Sequence, residues 1–123
     1  MGHHYLSEQE IAAVVEGFEK CTTGVDDFTH RGHLTVAVWY LRHSTPDQAF
    51  QKMCAGLLRF LDYHEVGRAK YDEQLTMKWI RLIQDALETM SPDLSLLEVT
   101  NAVIERFGDA RVVVDSTERS DKR

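Results

Sequence analysis

The sequence predicts an all-α fold, a single-domain bundle of about five antiparallel helices followed by a flexible C-terminal tail. Three observations lead there. Apolar residues recur at helical spacing through most of the chain. The segments between those stripes are short and carry Ser, Thr, Pro or Gly where helices start and stop. The one β-branched run that could suggest a strand, Val112 to Val114, is three residues long. The predicted domain covers residues 1–108, and residues 109–123 form the charged tail.

The first helix opens at Ser7-Glu8-Gln9-Glu10, a capping box in which Ser7 accepts a first-turn amide and Glu10 reaches back. It runs to about Lys20, with Ile11, Val14, Val15 and Phe18 as its buried stripe. CTTGVDD is turn chemistry, with Gly24 free to take positive φ. Either Asp27 or Thr29 caps the second helix, which continues to about His43. Its stretch LTVAVWYL, residues 34–41, is apolar on nearly every side, so this helix is predicted to be central.

Thr45-Pro46 opens the third helix, a cap followed by proline at the first helical position. Its stripe is Phe50, Met53, Cys54, Leu57 and Leu61, and HEVGRAK breaks it around Gly67. The fourth helix is expected from near Tyr71 to about Met90, with Leu75, Thr76, Trp79, Ile80 and Ile83 on one side. Ser91-Pro92-Asp93 ends it and begins the fifth, which carries Leu94, Leu97, Val99, Val103, Ile104 and Phe107. Gly108 is the expected stop.

Composition narrows the functional classes. With 43% hydrophobic and 28% charged residues, 123 residues suffice to close one core. A net charge of −6 and no long basic run argue against nucleic acid as a partner. No apolar run is long enough for a membrane span, and MGHHYLSEQE has no apolar leader segment. Cys21 and Cys54 lack CxxC spacing and read as reduced core thiols, so the expected location is cytoplasmic.

Little of the sequence is chemically specific, and most of what is lies in FTHRGHL, residues 28–34. Three-residue spacing puts His30 and His33 on the face that continues through Ala37, Tyr40 and Leu41. The positive end of a helix disfavours imidazolium, and neutral imidazole can bind metal or accept a proton. The complementary stretch is KYDEQLT, residues 70–76. There Asp72 shares a face with Thr76, Trp79 and Ile83, with Glu73 about 100° round. If the N-terminal ends of helices two and four meet, His30, His33, Asp72 and Glu73 form either a metal site or an acid–base pair. Tyr40, Tyr71 and Thr76 would supply hydroxyls to a bound molecule. The sequence has neither the Glu-x-x-His pairs of di-iron bundles nor His-Glu-x-x-His. Against this stands a plainer account, in which the histidines satisfy nearby carbonyls and pack on aromatic neighbours.

FTHRGHLTVAVWYL, FQKMCAGLLRFLDYH and KYDEQLTMKWI together resemble a group of small uncharacterised bacterial all-helical proteins. That group shares a T/R-H-x-x-H-L motif and a later Y-H-E-T-x-T motif. The likeness covers about residues 10–90 and matches at His30, His33, Leu34, Tyr71, Glu73 and Thr76. It departs at Asp72, where the group has histidine, and at Gln74, where it has threonine. The resemblance implies a functional cluster without implying a reaction.

Two expectations follow. One is a small-molecule- or metal-binding protein, with catalysis left open. In it His30, His33 and Glu73 do the chemistry, Tyr40, Tyr71 and Thr76 contact the ligand, and His30, His33, Asp72 and Glu73 hold Zn²⁺, Fe²⁺ or Mn²⁺. The other is a non-catalytic interaction or regulatory module with structural histidines, binding a protein partner or a second copy of itself. In that case Glu8, Glu10, Glu16 and Glu19 would face a basic partner.

Overall fold

A computed structural model describes residues 4–108. The expected tail, with Val112 to Val114, lies outside the described residues, as does His3. The described residues form five α-helices and no strand: α1 (Glu8–Glu19), α2 (His30–His43), α3 (Pro46–Tyr63), α4 (Glu73–Glu88) and α5 (Leu96–Phe107). Single 3-10 turns at Val25–Asp27 and Arg68–Lys70 precede α2 and α4. Among the described residues no helix is long and apolar enough to cross a membrane.

The central position expected of the second helix is found. α2 packs against all four other helices, and Leu34 to Val38, Tyr40 and Leu41 are buried. An all-round apolar helix can be stable only where neighbours cover every side. Phe18 of α1, Phe28 before α2 and Phe60 of α3 form a triangle of rings, with centroids 4.7, 5.8 and 5.3 Å apart. Gly56 lets the rings close. A Cβ there would sit 2.5 Å from Phe18 Cε2.

Several boundaries differ from the sequence expectation, each for a local reason. Ser7 does accept from the Glu10 amide at 3.3 Å, but the Glu10 carboxylate takes the Leu6 amide at 2.6 Å rather than that of Ser7. Thr29 is the N-cap of α2 by position, yet its side chain makes no capping bond. Gly24 has φ −70°; left-handed backbone falls at Cys21, Glu65 and Gly67. Tyr71 is extended, so α4 begins two residues later than expected, behind Asp72. Residues 91–94 form a turn, and α5 starts only after Ser95, which makes a capping box with Glu98. Gly108 does cap α5, but with ordinary helical dihedrals.

The N-terminal segment, read from sequence only as polar, is anchored. Asn101 of α5 accepts from the Tyr5 amide and donates to its carbonyl, at 2.8 and 3.0 Å. The Tyr5 hydroxyl meets Thr35 Oγ1 at 2.8 Å, and the Arg31 guanidinium lies over its ring.

Candidate functional site: an apolar cavity between three helices

The first turns of α2 and α4 share the wall of one cavity of about 450 Å³, and α3 supplies a third side. α2 contributes His30, His33, Leu34 and Ala37, which follow one another at i, i+3, i+4, i+7 spacing. α3 contributes Met53, Leu57, Phe60 and Leu61. α4 contributes Leu75, Thr76, Trp79, Ile80 and Ile83, with Tyr71 and Asp72 just before it. Val25, 41% exposed, stands beside Phe28 at the edge.

His30 is the first residue of α2, and its Nε2 lies 2.9 Å from the carbonyl oxygen of Phe107, the last residue of α5. The last carbonyls of a helix have no partner within it. Since a carbonyl only accepts, Nε2 carries the proton in this bond. The ring also meets Trp79 edge-on at 4.9 Å, and Trp79 meets Phe107 edge-on at 5.8 Å. His30 thus ties α2, α4 and α5 together.

His33 is held differently. Its Nδ1 donates to the Thr29 carbonyl one turn back, at 3.0 Å, and its ring leans on Phe28 with centroids 4.4 Å apart. Burial holds its basicity below the usual histidine value; the Thr29 bond opposes that shift and the nearby His30 adds to it. A neutral ring with Nδ1–H fixed on Thr29 has a lone pair at Nε2.

Asp72 is the N-cap of α4. Its carboxylate accepts from the Leu75 amide at 2.9 Å, while its carbonyl accepts from the Thr76 hydroxyl at 2.9 Å. Asp72 therefore has a structural task. The Tyr71 hydroxyl points its proton at Glu73 Oε1, 3.5 Å away, at the outer limit of a hydrogen bond, and also bonds the Cys54 thiol. Burial, then Cys54 and Glu73, hold the Tyr71 phenol protonated well above its usual range. Burial likewise raises the Cys54 thiol, against the Tyr71 bond, so Cys54 is no activated nucleophile.

Two expected site residues lie elsewhere. Tyr40 is buried on another side of α2, where its hydroxyl donates to Glu19 of α1 at 2.6 Å. The i+7 position that extends the His33 face is taken by neighbours of α1 there, because a helix covered on all sides offers each turn to a different partner. Glu73 is exposed and does not line the cavity, although its carboxylate approaches the Tyr71 hydroxyl that does. His30, His33, Tyr71, Asp72 and Thr76 are brought to one cavity. Among the described residues no group of three or more His, Cys, Asp or Glu side chains is placed to hold a metal ion.

Sequence reasoning missed the α3 wall and Phe28. Of the expected α3 stripe only Met53 is buried; Phe50, Cys54, Leu57 and Leu61 are half-buried, and Ala49, Gly56 and Phe60 are buried instead, because periodicity cannot distinguish a stripe that closes on its neighbours from one that lines a space. Membership of a family does not fill that gap, because no family model, curated protein or solved structure matches this chain.

Proposed function

We propose that this protein binds a small, largely apolar organic molecule in the cavity between α2, α3 and α4. The observation that carries the proposal is the cavity itself: about 450 Å³, walled by Leu, Ile, Met, Phe and Trp side chains, with a few polar groups on the first turns of two helices. Ligand sites of soluble proteins typically measure ~300–1,000 Å³, with an apolar lining and few convergent polar groups. Burying a ligand there removes both its own apolar surface and that of the wall from water, at roughly 25 cal/mol per Å².

A divalent metal centre at His30, His33, Asp72 and Glu73 draws less support. The Asp72 carboxylate caps its own helix, Glu73 is exposed and does not line the cavity, and among the described residues no three His, Cys, Asp or Glu side chains are placed to hold an ion. The structural account of the histidines fits His30, whose bond spans from α2 to the end of α5. His33 is the one whose bond stays within its own helix and leaves the ring free to serve the cavity.

The test is a titration of the purified protein with naphthalene, read by heat of binding, beside the variant Val25→Trp. Val25 lies at the edge of the cavity and is partly exposed, so an indole there blocks the space without disturbing the core. Saturable one-to-one binding, weakened about tenfold or more in the variant (~1.4 kcal/mol), supports the proposal. Absence of binding overturns it. Stoichiometric Zn, Fe or Mn in the same samples, lost in a His30→Ala/His33→Ala double variant, would replace it with the metal site.

A further inference from the structure

His30, His33 and Thr76 of the cavity wall share a property that bears on what the site admits: the proton each carries in its hydrogen bond is already donated to the protein. His30 Nε2–H goes to the Phe107 carbonyl and His33 Nδ1–H to the Thr29 carbonyl. The Thr76 hydroxyl proton goes to the Asp72 carbonyl. Asp72 presents a carboxylate, which only accepts. What these side chains have left over is lone pairs.

Among the described residues, the side-chain nitrogens and oxygens sealed from solvent without a partner are Arg31 Nε, His64 Nε2 and Thr100 Oγ1. His33 Nε2 is not one of them, so it is reachable while having no hydrogen bond within the protein. A reachable acceptor at the distal edge of a ring that lines an apolar cavity is a recognition group looking for a donor. Pairing it with a ligand acceptor sets lone pair against lone pair, and covering it with hydrocarbon strips it of water without replacement.

We propose that the cavity selects apolar molecules bearing one neutral hydrogen-bond donor, a phenol or an alcohol, whose hydroxyl is received by Nε2 of His33. This rests on the cavity binding apolar molecules at all. Anionic ligands are disfavoured because a charged group would lose its water against a mostly apolar wall and would meet the Asp72 carboxylate there, although the Trp79 indole N–H also belongs to that wall.

Four bicyclic probes of one size separate the possibilities: 2-naphthol, naphthalene, 2-methoxynaphthalene and 2-naphthoate, titrated at neutral pH into wild type and His33→Phe. The phenyl ring keeps the packing on Phe28 while removing Nε2. The expected result is 2-naphthol binding about tenfold more tightly than naphthalene and the methyl ether, in line with one buried hydrogen bond. 2-Naphthoate is weakest, and the naphthol preference falls to within about threefold in His33→Phe. Equal affinity for naphthol, ether and hydrocarbon in wild type overturns the inference and leaves the apolar-ligand function standing; that outcome does not depend on the variant folding. Preference for 2-naphthoate, or a naphthol preference that survives in His33→Phe, also overturns it. If none of the four binds, the function itself fails and the inference goes with it.

Discussion

At the scale of single residues, the two histidines of FTHRGHL part company. His30 bonds the carbonyl at the end of α5, and His33, held by Nδ1 on its own first turn, lines the cavity with no bond to another helix at its other nitrogen. The lowered basicity of His33 has a consequence for stability. An imidazole that is harder to protonate in the folded protein takes its proton first in the unfolded chain. Above about pH 6.5 both states are neutral and nothing is lost. As pH falls from there through the lower folded-state value, the unfolded state binds more protons and stability declines, by at most ~1.4 kcal/mol per pH unit for one group. His30, Tyr71 and Asp72 line the same cavity as this ring, with Glu73 and Cys54 behind Tyr71. Asp62, held low by Arg68, and Glu16, held low by Lys20, lose their ion-pair contributions only further into acid. Thermal denaturation from about pH 7.5 to 5.5 should therefore show a falling Tm, with a shallower slope in His33→Phe; equal slopes would mean that another group is responsible. Asp72 yields a second expectation. Asp72→Ala should lower stability by about 1 kcal/mol in urea denaturation, and Asp72→Asn by much less, as for an N-cap. The shared face of His30 and His33 was legible because it needs only helical periodicity. The Phe107 carbonyl was not, because its partner lies 77 residues away and is supplied by the packing of α5.

Among the elements, α1, α2 and α3 were legible nearly to the residue, since Ser7, the apolar run of α2 and Thr45-Pro46 each act locally. Thr45 even completes a capping box with Gln48, at 3.1 Å both ways. α4 and α5 were placed too early because Tyr71 and Ser91-Pro92-Asp93 satisfy helix-start patterns that a later residue in fact fulfils. Asp72 and Ser95 do so with hydrogen bonds to Leu75 and Glu98. Replacing Ser95 by Ala should then destabilise the protein by about 1 kcal/mol, whereas Ser91→Ala should have a smaller effect on the unfolding midpoint. α3 carries the sharpest packing expectation. Gly56→Ala gains up to ~1 kcal/mol of helix propensity. The added methyl, however, meets Phe18 Cε2 and Cζ at 2.5 and 2.7 Å, in a ring that is fully buried and stacked on Phe28 and Phe60. Overpacking of this kind costs ~1–3 kcal/mol, so the net change should be destabilising, opposite in sign to the propensity scale. Urea denaturation of Gly56→Ala decides the sign.

For the molecule as a whole, α2 is the hub and the cavity is what its packing leaves open. One side of α2 is covered by α1 and α5, where Tyr5, Thr35 and Asn101 knit the N-terminal segment to the bundle. The opposite turns of α2 meet α3 and α4 around the space that His33 borders. Sequence periodicity placed the helices and the faces, but the volume between three faces depends on how closely they approach, which no stripe records. A ligand filling that volume should stabilise the folded state by about 2.7 kcal/mol at one hundred times its Kd, visible as a rise in Tm. The most direct measurement is a backbone amide chemical-shift titration of the wild-type protein with naphthalene. Binding in the cavity should concentrate the shifts on residues 28–37, 53–61 and 71–83, saturate at one equivalent, and vanish in Val25→Trp. Shifts spread over the outer faces of α1 and α5, or no shifts at the solubility limit of the probe, would contradict it.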